Sequence, residues 1–106
     1  MTYKVSLSRR AELDREQAFD WYCANYSEAY ALRWFNGITL AMATLRRNPQ
    51  RCHMANENDR FQFDVHEMIY GPKKNKHRIL FRIDSDLVLV LHIRHSAQRD
   101  LSDDDL

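Results

Sequence analysis

Three short runs between Asp64 and Arg99 limit the folds open to this chain more than any other feature. Two alternate apolar and polar residues and the third is continuously apolar. They are separated by Gly71-Pro72-Lys73-Lys74-Asn75-Lys76 and by Asp84-Ser85-Asp86, both dense in turn formers. A three-stranded meander is predicted. Successive strand side chains point to opposite faces. Ile79, Phe81 and Ile83 are therefore expected on one side with Leu87, Leu89, Leu91 and Ile93, and Arg78, Leu80, Arg82, His92 and Arg94 on the other. One face is then apolar and the other basic.

Upstream, Tyr3 to Leu7 alternates briefly, as an edge strand would, and Ser8 offers an oxygen that caps the amides of a following helix. Strong helix formers run from Arg9 to about Asn25, with Ala11, Ala18, Trp21 and Tyr22 on one stripe. A second helix, capped by Ser27, is predicted from Glu28 to about Arg47. There Ala31, Trp34, Phe35, Ile38, Ala41, Met42 and Leu45 recur at three- and four-residue steps. Pro49 stops it, and Arg46 and Arg47 meet its negative dipole end. Asn48 to Phe63 has no periodicity and reads as a long connecting loop. Two amphipathic helices need an apolar surface to cover, and the meander supplies one. The expected fold is α+β, a β-α-α-β-β-β two-layer sandwich in one domain over residues 1–106, with the basic sheet face left partly open.

A formal net charge of +1 conceals an uneven distribution. Residues 65–99 carry seven Lys/Arg against three Asp/Glu, whereas residues 100–106 carry four Asp and no basic residue. Basic strands suit a nucleic acid or an acidic protein, and the acidic tail would compete for them. The N-terminal residues lack the apolar run of a signal peptide, and no stretch approaches the roughly 18 apolar residues of a spanning helix, so a cytoplasmic protein is expected. Cys23 and Cys52 lack ligand-like spacing and read as two free thiols. With only two glycines there is no phosphate-cradling loop or dinucleotide fingerprint, and no cofactor or metal is expected. His92 and His95 are three apart on a strand and so fall on opposite faces.

Several segments, in this order and spacing, resemble the RelE/ParE toxin superfamily, in particular its plasmid stabilisation protein branch. They are Tyr3-Lys4-Val5 leading into Ser8-Arg9-Arg10-Ala11, the helix end Leu45-Arg46-Arg47-Asn48-Pro49, the strand His77 to Ile83, and above all Val88 to His95. The resemblance covers almost the whole chain. It implies the toxin half of a type II toxin–antitoxin pair, which inhibits growth and is masked by a cognate antitoxin. Its target would be either messenger RNA on the ribosome or DNA gyrase. The alternative is a non-toxic interaction module that keeps the fold and the antitoxin-binding surface but has lost its target. Fold alone does not separate these.

Cleaving RNA through its own 2′-hydroxyl needs a base, positive charge beside the phosphorane and an acid for the leaving oxygen. The candidates are His66 on the second strand, Arg78 and Arg82 on the third, and His92 and Arg94 on the fourth, all expected on one face. Two features depart from the RNA-cleaving relatives. The second strand carries His66 and Met68 where those relatives have lysines or arginines, and no Tyr follows Tyr70. An amphipathic acidic peptide, laid across the face rimmed by Met68, Leu80 and Val90 or added along an edge strand, is the expected form of the antitoxin contact.

Overall fold

The computed structural model describes residues 2–98, so the acidic segment 100–106 lies outside the described residues. Strand β1 (Lys4–Leu7) leads into helix α1 (Arg9–Asn25). Helix α2 (Glu28–Ala43) follows, and then strands β2 (His66–Tyr70), β3 (His77–Asp84) and β4 (Leu87–His95). Both helices start where a serine can cap them: Ser8 Oγ accepts from Ala11 N and Ser27 Oγ from Tyr30 N, each at 3.0 Å. The second helix ends earlier than its apolar period suggests. After Ala43 the chain tightens into a 3₁₀ turn over Thr44–Arg46, and Asn48 adopts a left-handed backbone with φ of 47°. The Arg51 side chain reaches back to the carbonyls of Arg47 and Asn48, giving these terminal acceptors a partner.

The sheet order is β1-β4-β3-β2, with β1 parallel to β4 and the other pairs antiparallel. Two helices therefore cover a four-stranded mixed sheet. Their packing buries Ala11, Tyr22, Ala31, Trp34, Ile38, Met42 and Leu45 against Ile79, Phe81, Val88, Val90 and Ile93. Burial of these apolar side chains is the main stabilising term, at about 25 cal/mol per Å².

One face assignment changes. Leu80 pairs with His92 but Phe81 pairs with Val90, so Leu91 is the extra residue of a β-bulge. A single inserted residue exchanges the two faces of everything on one side of it. Val88 and Val90 thus join the core, whereas Leu87 and Leu89 lie opposite Asp84 and Arg82 on the far side of the sheet. Ile93, beyond the bulge, remains in phase with Ile79. Strict alternation cannot reveal a bulge.

The face turned away from the helices is also less open than expected. Ala55, Val65 and Leu80 form a second buried cluster there, with Phe61 and Leu91 packed on it. The aperiodic connection lies over that half of the sheet.

Candidate functional site

Four of the five sequence-predicted residues sit on the face away from the helices, and each is held differently. Arg78 is buried among carboxylates. Its Nη1 and Nη2 donate to Glu57 Oε2 and Oε1 at 3.0 and 2.6 Å, and its Nε donates to Glu67. The Glu57 contact first, with Glu67 behind it, holds the guanidinium even more firmly protonated than an ordinary arginine, against the opposing effect of burial. Glu67 also faces His53, Nε2 to Oε2 at 2.7 Å. Arg82 lies 4.0 Å over the Phe63 ring and 3.9 Å from Asp84. His92 Nδ1 is 3.9 Å from Asp14 of α1. Arg94 pairs in register with Arg78, beyond the bulge.

His66 is not with them. It pairs with Phe81, its ring stacks on that ring at 5.4 Å, and its Nδ1 lies 2.9 Å from the Cys52 carbonyl, which puts it on the helix side of the sheet. Met68 and Val90, expected to rim the basic face, are likewise packed toward the helices. The cause is register: His66 and Met68 share the pleat of Phe81 and Ile79.

A concavity of about 430 Å³ opens elsewhere, between α1 and the last residues of β4. It exists because β1 stops short. β1 accompanies β4 only as far as Leu7 opposite Val90, and α1 takes over the exposed edge. Ser8 N donates to Val90 O at 2.8 Å, Ser8 Oγ donates to Leu91 O at 2.9 Å, and Asp14 Oδ2 accepts from Ile93 N at 3.0 Å. The Ser8 backbone amide and the Ser8 and Asp14 side chains satisfy backbone groups that a fifth strand would otherwise pair. A helix cannot lie as close as a strand, and a gap remains. Trp21 and Tyr22 wall it on the helix side, Ile93, Arg94 and His95 on the strand side, and Gln98 sits at its end. Arg10 also borders it, paired with Asp14 at 3.0 Å.

At the back of the cavity, His77 Nδ1 lies 3.3 Å from Trp34 Nε1 and 3.1 Å from Asn75 O. A bare Nδ1 accepts from the indole, whereas a protonated one donates to the carbonyl. Either neutral tautomer uses this nitrogen once. Desolvation lowers the His77 pKa to about 4, so the ring stays uncharged at neutral pH. Tyr22 is 1% exposed and its hydroxyl has no hydrogen-bond partner among the described residues; burial pushes its pKa up to about 12, leaving it a donor. Among the described residues no group of three or more His, Cys, Asp or Glu side chains is placed to hold a metal.

The sequence reading missed Glu57, Glu67, Trp21, Tyr22 and His77. Glu57 lies in an aperiodic segment and leaves no signal. Glu67 leaves a weak one, since it sits on the strand facing Arg78 and directly opposite Leu80.

The bulge, the capped helix pair and the short first strand describe one way of building this fold, and residues 5–100 match the family described as ParE toxin of type II toxin-antitoxin system, parDE. The chain belongs to that ParE toxin family. It is accordingly the toxin component of a type II system, a class whose members have a cognate antitoxin as partner. Its architecture is similar to that of a solved chain of the chromosomal ParDE TA system from P. aeruginosa. The two share 15% sequence identity with a TM-score of 0.72, covering 89% of this chain and 96% of that one. No curated protein sequence matches it. Within the family frame, the two cysteines are free thiols, both with pKa raised by burial, and among the described residues no helix is long and apolar enough to cross a membrane.

Proposed function

We propose that this ParE-family toxin acts on DNA gyrase rather than by cutting messenger RNA, and that its antitoxin engages the cavity between α1 and β4. The observation that carries the first part is the state of the predicted catalytic set. Arg78 is committed to Glu57 and Glu67, which leaves little positive charge for a phosphorane, and His66 faces the helices, away from Arg82, His92 and Arg94. A general acid and base acting on one phosphate must both reach it. That requirement favours a toxin that works by contact over one that works by proton transfer. Arg82, His92 and Arg94 are then the positions expected to meet the target.

The second part rests on shape and charge. The cavity joins an aromatic wall to Arg94 and His95, which suits an acidic amphipathic segment with an apolar anchor. Inducible expression in bacteria, followed by parallel assays, separates the targets. Gyrase-linked DNA breaks with intact transcripts are the expected outcome, and ribosome-dependent transcript cleavage would overturn the gyrase reading. Unimpaired growth, with tight antitoxin binding retained, would point instead to the non-toxic module.

A further inference from the structure

We infer that the end of the molecule where the α1–α2 turn meets the β2–β3 turn is a docking surface for unpaired DNA. The choice of DNA over RNA rests on the gyrase reading, whereas the surface itself stands on geometry and charge.

Trp21 and Tyr26 are 54% and 51% exposed, and among the described residues no other aromatic side chain is as open. They lie side by side, ring centroids 5.9 Å apart. Tyr30 extends the row, stacked on Tyr26 at 4.6 Å, and the Arg33 guanidinium lies 5.9 Å from the Tyr30 ring centre. A row of exposed rings offers flat bases a surface to stack on, whatever their identity.

A basic turn is tied to that row. Asn75, buried in the β2–β3 turn, donates through Nδ2 to the Tyr26 hydroxyl at 3.2 Å and to the Tyr30 hydroxyl at 3.0 Å. Each phenol oxygen accepts there, so its own proton remains to be donated to a ligand. Lys73 and Lys74 precede Asn75 and Lys76 follows it, all three exposed and without an ion pair among the described residues. Lysine meets phosphate as a point charge and needs no fixed geometry to do so.

The nearest acidic residues belong to another side of the helix. Asp20 and Glu28 both act on Cys23, two positions beyond Trp21 and hence roughly 200° around α1 from it. A formal net charge of only +1 means that attraction for a polyanion must come from a local concentration of this kind. A duplex keeps its base faces stacked inside and could use the lysines alone. A single strand uses the lysines and the rings together.

The test is fluorescence anisotropy with a labelled oligothymidylate of about 12 nucleotides, within the span such surfaces occupy. The expected dissociation constant is about 1–100 µM near physiological salt. Trp21→Ala and, separately, Tyr26→Ala weaken binding about tenfold, as for one lost stacked base. Lys73→Gln, Lys74→Gln and Lys76→Gln together lower the slope of log affinity against log salt by about 2, at about 0.7 per phosphate contact, which a merely structural role would not do. All five sites are exposed, and thermal unfolding verifies that each variant folds. No binding of the probe, or binding indifferent to both the ring and the lysine changes, overturns the inference. Tighter binding of the matched duplex or of oligouridylate overturns it as well. If the three-lysine variant loses antitoxin affinity and keeps DNA affinity, the surface belongs to the protein partner and the inference falls. The assay contains no gyrase, so failure here leaves the gyrase reading standing, whereas absent DNA breaks with retained probe binding overturn that reading and not the surface.

Discussion

Arg78 and Glu57, 21 residues apart in the chain, meet as a two-pronged ion pair with side chains only 8% and 0% exposed. The pair fastens the connection between α2 and β2 onto β3, and Glu67 closes the other side of the guanidinium. A buried pair of this kind is weak evidence of net stabilisation, but removing one partner leaves an uncompensated charge. It also takes the most central arginine of the sheet away from solvent.

Glu57→Gln is expected to cost about 3 kcal/mol, the lower end of the range for a broken buried pair, because Glu67 still neutralises Arg78. Urea unfolding checks this through the midpoint. Asp59→Asn, an exposed change in the same segment, should stay within about 0.5 kcal/mol.

Stability should fall on mild acidification because of His77. Its folded pKa of about 4 lies below the ordinary 6.5, so between those values the unfolded chain binds more protons than the native one. The contribution is fully present above pH 6.5 and is lost as pH falls to about 4, amounting to roughly 3 kcal/mol. His77→Gln should flatten that part of the profile in thermal unfolding between pH 4 and 7. An unchanged slope would count against the assignment.

Gly37 is in α2 because Tyr70 needs the room: a Cβ there would fall 1.8 Å from the tyrosine hydroxyl oxygen. Helix propensity alone favours Gly37→Ala by about 1 kcal/mol. Displacing the ring should outweigh this, giving a net loss of about 1–2 kcal/mol. In a Tyr70→Phe background the loss should shrink, and a double-mutant cycle measures the difference.

Antitoxin affinity should drop at least about tenfold on Arg94→Gln, as expected for loss of a charge-assisted contact. Lys4→Gln, on β1 and outside the cavity lining, should leave it unchanged. Titration calorimetry with purified partners reads both.

The amino-acid order by itself determined the elements and their succession. Ser8 and Ser27 mark the helix starts, apolar residues at three- and four-residue steps define α2, and Gly71-Pro72 and Asp84-Ser85-Asp86 separate the strands. These signals are local, because caps, turns and periodicity act within a few residues. The pairing of those elements is another matter. Only the tertiary structure decided that Leu91 bulges, that Val88 and Val90 rather than Leu87 and Leu89 meet the helices, and that His66 turns inward. It alone brought Glu57 to Arg78 and opened a cavity where β1 ends beside β4. Register and long-range ion pairs depend on contacts between distant segments, and a one-residue slip that reverses a face costs the sequence pattern nothing.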